Sequence, residues 1–150
     1  MPQSLSRIYL HLIFSTKLRE PILADSIRPA LHSYLGGILR DLDSPAIEIT
    51  SVSDHVHLLF CLSRTHSISA IVAQTKHGSS AWLKTQGPRY AKFHWQNGYG
   101  VFSVSQSGVD EVREYIQNQK AHHQKTTFQD EYRAFLRRYG IEHDEKYVWD

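Results

Sequence analysis

The chain has 150 residues, the size of one domain able to bury a core without cross-links, and its single cysteine, Cys61, excludes an intrachain disulfide. A formal net charge of +2 with neutral histidines names no partner by itself. No apolar run approaches the length of about 18 residues that a membrane span needs, and the opening Met-Pro-Gln-Ser lacks a basic-then-apolar pattern, so a cytoplasmic location is expected.

Residues 7–15 (Arg-Ile-Tyr-Leu-His-Leu-Ile-Phe-Ser) are rich in strand formers and predict a buried first strand. Residues 17–21 follow as a loop that carries Lys17 and Arg19. Asp25 is placed to cap a helix running to about residue 41, with Ile27, Leu31, Leu35, Ile38 and Leu42 at helical spacing. Gly36-Gly37 inside it would suit a close approach of helix to sheet. Residues 46–52 alternate apolar and polar as a half-exposed strand, Ser53-Asp54 makes the turn, and residues 55–62 return as its hairpin partner.

Ser67 opens a second helix ended by Gly87-Pro88, and residues 99–105 form a fourth strand. A third helix begins after Gly108 and runs to about residue 124, a short fourth spans residues 129–139, and the tail is polar. The order β-α-β-β-α-β followed by helices predicts an α+β domain over residues 1–150, a ferredoxin-like split sheet covered on one face by two helices. The third helix must then pack on the open sheet face or on a partner subunit.

Charge is unevenly distributed. Residues 55–109 contain no Asp or Glu but include Arg64, Lys76, Lys84, Arg89 and Lys92 among His66, His77, His94, Trp82, Tyr90, Phe93, Trp95 and Tyr99. Cations interleaved with aromatics suit a nucleic-acid surface, where phosphates meet the charges and unpaired bases stack on the rings. A solvated cationic face is the alternative reading.

The chemistry-bearing residues fall in two places. His55 and His57 bracket Val56, so on a strand they share one face and can hold a divalent metal through neutral ring nitrogens. Tyr115 and Gln119 stand four apart, one turn from each other on one helix face. Gln119 can offer an amide oxygen as a third ligand, and a phenol beside a cation is more easily ionised into a nucleophile. Ordinary strand histidines and a core ring at Tyr115 are the alternatives. His122 and His123 are read as solvent-facing helix-end residues that complement the helix dipole, with phosphate contact or support of the metal as the alternative.

Together these segments resemble the single-tyrosine HUH transposases of small bacterial insertion sequences and their relatives associated with repetitive extragenic palindromes. The matching pieces are Asp54-His55-Val56-His57-Leu58-Leu59, Tyr115-Ile116-Gln117-Asn118-Gln119, Trp95-Gln96-Asn97-Gly98-Tyr99 leading into Phe102-Ser103-Val104, and His11-Leu12-Ile13-Phe14-Ser15-Thr16-Lys17. Lys76, Gly78, Ser79 and Ser80 are similar to the family's second helix. The resemblance implies that His55, His57 and Gln119 ligate Mg2+ or Mn2+. It also implies that Tyr115 attacks single-stranded DNA, leaving a 5′-phosphotyrosine and a free 3′-hydroxyl. It further implies recognition of DNA hairpins at element ends and a homodimer with composite active sites. Lys17, Arg19, Lys76, Arg89 and Lys92 are the candidate DNA contacts. A domesticated relative that processes palindromic repeats, or a non-catalytic ferredoxin-like nucleic-acid-binding module, are the other readings.

Overall fold

Period-two alternation sorts the strand side chains into two faces, and each face has its own cover. The computed structural model describes residues 2–150. Four strands, β1 (Tyr9–Ser15), β2 (Ala46–Ser51), β3 (His55–Cys61) and β4 (Gly100–Val104), form one antiparallel sheet in the order β2-β3-β1-β4. Between them run α1 (Arg28–Asp41) and α2 (Ile68–Lys84). The strands are followed by α3 (Val109–Gln117), α4 (Gln119–His122) and α5 (Phe128–Arg138). This is the ferredoxin-like α+β arrangement with helices appended.

On the first face Leu10, Leu12 and Phe14 of β1 and Val56, Leu58 and Phe60 of β3 merge with Leu31, Leu35 and Leu39 of α1 and Ile71, Val72 and Leu83 of α2. Each fully buried aliphatic side chain contributes roughly 2 kcal/mol, so this layer is the main source of stability. The opposite face carries His11, Ile13, His55 and His57, and it is also covered. Ile13 and Phe102 meet Phe128, Tyr132 and Leu136 of α5. α3 lies over β2, where Arg113 Nε and Gln117 Nε2 both donate to the Glu48 carboxylate, at 3.0 and 3.1 Å. The third helix therefore packs on the open face of its own sheet. Double cover explains why β1 and β3 are buried almost end to end.

Several local expectations are corrected. Asp25 does not cap α1; it pairs with Arg28 Nη1 at 2.7 Å, and a proline in the first turn starts the helix instead. Gly36 has room for a methyl group, whose nearest neighbour would be Ile49 Cδ1 at 3.7 Å. The close approach lies at Gly78 on α2, where a Cβ would meet Ile38 Cδ1 at 2.9 Å, so the glycine serves the α1–α2 crossing. The third helix is interrupted at Asn118 (φ −95°, ψ 16°), although Asn118 N still donates to Glu114 O at 3.2 Å and His122 N to Asn118 O at 3.0 Å. Ser67 caps α2 as expected, accepting from Ala70 N at 3.1 Å.

Candidate metal and tyrosine centre

The centre is built on the second sheet face, where β3 aims both histidines under the C-terminal helices. His55 and His57 are fully buried, with ring centroids 5.2 Å apart. Each is oriented through Nδ1. His55 Nδ1 donates to Asp54 Oδ1 at 2.7 Å, and His57 Nδ1 is 2.8 Å from Nε2 of His11, the buried histidine of β1. Both Nε2 atoms are left facing the same space. Asp54 and His11 therefore act as the outer partners that fix imidazole orientation in metal sites.

That space is filled from the C-terminal side by Glu131 of α5 and by His123, which caps α4. Glu131 Oε1 is 3.0 Å from His57 Nε2 and 3.5 Å from His55 Nε2. Its Oε2 is 3.2 Å from His123 Nε2, and His123 Nε2 is 3.1 Å from His55 Nε2. One ligand atom from each of His55, His57, His123 and Glu131 lies within 4.8 Å of all the others. The expectation of solvent-facing helix-end histidines is thus corrected. The break at Asn118 and the turn into α5 bring His123 back over β3. His122 is half-buried, 3.3 Å from both Glu131 Oε2 and the Tyr115 hydroxyl.

Tyr115 sits on the same chain's histidine pair, its ring centroid 6.1 Å from that of His57. Its hydroxyl donates to Glu131 Oε2. A cleft of about 790 Å3 opens beside it, lined by His11, Tyr115, His122, Glu131, Phe135 and Arg138 among others, so the phenol is reachable from solvent. Gln119 is fully buried; its Nε2 is 3.4 Å from the Tyr115 carbonyl, while Oε1 has no hydrogen-bond partner among the described residues. The inward Nε2 atoms of His55 and His57 suit a divalent cation, and Gln119 Oε1 is a buried acceptor without a donor one helical turn from Tyr115.

Electrostatics follow burial first. Burial pulls His57 down to about 4, only partly offset by Glu131. His11 is held well below its usual value by burial and by His57. For His55 burial opposes the charge, but hydrogen bonds to Asp54 and Glu131 outweigh it and raise the pKa. Glu131 stays well below the usual carboxylate range because bonds from His123, His55 and His57 overcome its burial. Burial, then the Glu131 charge, raises Tyr115 well above an ordinary phenol.

The basic candidates are scattered. Lys17 and Lys92 are exposed and, with His94, line a cleft of about 260 Å3. The Arg19 guanidinium lies 5.8 Å from the Trp149 ring, and Arg89 Nε donates to Ile22 O at 2.8 Å. Lys76 is engaged internally, donating to the carbonyls of Gln96, Asn97 and Gly98 at 2.8, 3.2 and 2.5 Å. Burial lowers its pKa to about 8. Sequence reasoning missed His11, Glu131 and the orienting role of Asp54. The available signal was a polar residue on an apolar track: Glu131 shares a helical stripe with Phe128, Tyr132 and Phe135.

A split β-α-β-β-α-β sheet bearing a His-x-His strand beneath a tyrosine helix is the architecture of the HUH-type transposases. The IS200-like transposase family matches residues 4–119, and the chain belongs to that family. A candidate transposase from Deinococcus radiodurans R1 is 25% identical with a TM-score of 0.62, over 79% of this chain and 98% of that one. A REP-associated tyrosine transposase bound to a REP hairpin shares the fold at a TM-score of 0.58, with 12% identity over 82% of this chain and 74% of that one. No curated protein matches the chain.

Proposed function

We propose that residues 1–150 form one HUH-type domain that cleaves single-stranded DNA beside a hairpin and transfers the strand. Tyr115 is the nucleophile, and His55, His57 and Gln119 are ligands of a divalent cation, Mg2+ or Mn2+. The observation that carries this reading is the seating of Tyr115 over the buried His55–His57 pair, with its hydroxyl on a carboxylate and a cleft alongside. Family membership supports it, and so does the hairpin held by the REP-associated fold relative.

In the reaction the Tyr115 oxygen attacks phosphorus, the bond from phosphorus to the 3′ oxygen breaks, and that oxygen leaves to take a proton as the 3′-hydroxyl. The 5′ phosphate stays on the tyrosine. The phenol proton has an acceptor already bonded to it, the Glu131 carboxylate. A bound cation would supply positive charge that favours phenol ionisation and offsets charge developing on the phosphoryl oxygens. His11 and Asp54 keep the His57 and His55 rings turned Nε2-inward. Lys17, Arg19, Arg89 and Lys92 would meet phosphates. Lys76 could join them only by releasing its three carbonyls.

The homodimer is carried forward with this reading. In the single chain Tyr115 lies over its own His57, and in a homodimer with composite active sites it would serve the partner's histidines instead. A domesticated, repeat-processing role shares all of this chemistry and differs only in its DNA. The test is a hairpin oligonucleotide with flanking single strand, incubated with protein and Mn2+ and resolved on a denaturing gel. A covalent protein–DNA band is expected from the wild type, lost in Tyr115→Phe and in His57→Ala. An adduct formed by Tyr115→Phe, or undiminished cleavage in chelator, would overturn the assignment.

A further inference from the structure

His123 and Glu131 lie beyond the residues that the transposase family matches, 4–119, yet they close the centre. The hydrogen bonds around them constrain where the ring protons can be. His123 Nδ1 is 2.7 Å from the carbonyl oxygen of Thr126, which can only accept, so Nδ1 carries the proton. His55 Nδ1 faces the Asp54 carboxylate at 2.7 Å and carries its proton for the same reason. In the neutral rings both Nε2 atoms are then bare lone pairs, and they face each other at 3.1 Å. Both lone pairs are satisfied by one cation held between them, a shared proton or a metal ion, and the carboxylate and third imidazole alongside make the space one a metal can occupy.

The separations fit an ion of definite size. Four donors about 2.1 Å from a common centre at tetrahedral angles stand about 3.4 Å apart. Here the near contacts measure 3.0, 3.1, 3.2 and 3.5 Å, those of Glu131 shared between its two oxygens, and with one atom from each residue all four donors lie within 4.8 Å of one another, a cluster that can close on one ion. Three neutral imidazoles and one carboxylate are borderline donors, which favour first-row transition ions, whereas Mg2+ prefers oxygen and retains its waters.

We propose that His55, His57, His123 and Glu131 form a four-donor site selective for a transition ion of the Mn2+, Co2+ and Zn2+ series over Mg2+. Glu131 ties that ion to Tyr115. Oε1 faces His55 and His57, while Oε2 faces His123 and accepts from the phenol, so Glu131 positions the nucleophile at the edge of the metal site. The inference rests on the metal role of His55 and His57 in the proposed function, puts His123 and Glu131 where that reading has Gln119, and favours its Mn2+ over its Mg2+. It also makes the segment after the tyrosine helix part of the metal site.

The experiment uses tag-free, chelator-treated full chain. Co2+ is titrated while visible absorption is recorded, and Mn2+ and Mg2+ are titrated by calorimetry. One Co2+ per chain is expected, with the strong absorption of a four- or five-coordinate imidazole-rich site. Mn2+ should bind at least about a hundredfold more tightly than Mg2+. His123→Ala and Glu131→Gln should each weaken Co2+ binding about tenfold or more, with circular dichroism checking the fold. Weak six-coordinate absorption in the wild type, or equal Mn2+ and Mg2+ affinity, overturns the proposal without reference to any variant. A chain that forms the Tyr115 adduct but binds Co2+ unchanged in folded variants overturns it too, and leaves the proposed function standing. A chain that shows the four-donor spectrum but never forms the adduct upholds the site and removes the function.

Discussion

At the scale of single residues, the centre is a set of charges whose protonation is dictated by burial. His57 is fully buried and its pKa falls to about 4, so between pH 6.5 and 4 the unfolded chain takes up a proton that the folded chain refuses. Stability is then lost as pH falls through that window, on the order of 3 kcal/mol from His57 alone. His11 shifts in the same direction. Glu131 adds to it, because a depressed carboxylate contributes stability that disappears as pH drops below the unfolded value. His55, with its raised pKa, opposes them, favouring the folded state as acid is added and losing that contribution as pH rises. The His57 shift, with His11 beside it, sets the sign over most of that window, and Glu131 adds to it near pH 4. In the metal-free protein the urea midpoint should fall steadily from pH 7 to pH 4. A midpoint that is flat or rises over that range would mean the buried histidines are not held neutral.

At the scale of elements, the site depends on how closely α5 is pressed onto the sheet. Gly100 of β4 is the contact point, since a Cβ there would stand 2.7 Å from Cε2 and 2.9 Å from the hydroxyl of Tyr132. Tyr132 is packed against Phe128 and Trp149 and cannot retreat freely. Gly100→Ala should therefore cost about 1–3 kcal/mol by overpacking and loosen Glu131 next to the displaced ring. A lowered Tm together with weaker metal binding is expected; a Tm equal to wild type would show that α5 moves at no cost. Lys76 illustrates the same dependence in a loop. Lys76→Met would take the donor from two part-buried carbonyls, Gln96 and Gly98, and should lower stability by about 2 kcal/mol in a denaturant titration, a loss measurable without any DNA present. These contacts also explain what could be read in advance. Strands, helices and the His55–Val56–His57 and Tyr115–Gln119 pairs carry their signals within a few residues, as alternation or helical spacing. Glu131, His123 and His11 reach the centre through the turn after Asn118, the seating of α5 and the β1–β3 register, and those are tertiary facts. A basic residue within a cationic segment looked like a phosphate contact, yet Lys76 folded inward onto the 96–98 loop.

At the scale of the whole molecule, the question is whose tyrosine serves whose histidines. α3 lies over β2 of its own sheet through Arg113, Gln117 and Glu48, and Tyr115 is held by Glu131 and faces His122 of the same chain. Moving Tyr115 to a second copy would break its bond to Glu131 and uncover Ile116, which is fully buried, until the partner's helix took the same seat. A chain that works in cis has a simple signature in mixtures. Tyr115→Phe retains the metal site and lacks the nucleophile, while His57→Ala retains the nucleophile and lacks a ligand. If the centre is used as it is built, mixing the two variants in equal amounts yields no covalent protein–DNA band above either alone, even after co-refolding to exchange subunits. If tyrosine helices were exchanged in a composite dimer, the same mixture would regenerate intact centres, up to about a quarter of all sites under random pairing of subunits. Absence of the band is the outcome expected from the Tyr115–Glu131 contact, and its appearance would mean that α3 leaves its own sheet before DNA is cut.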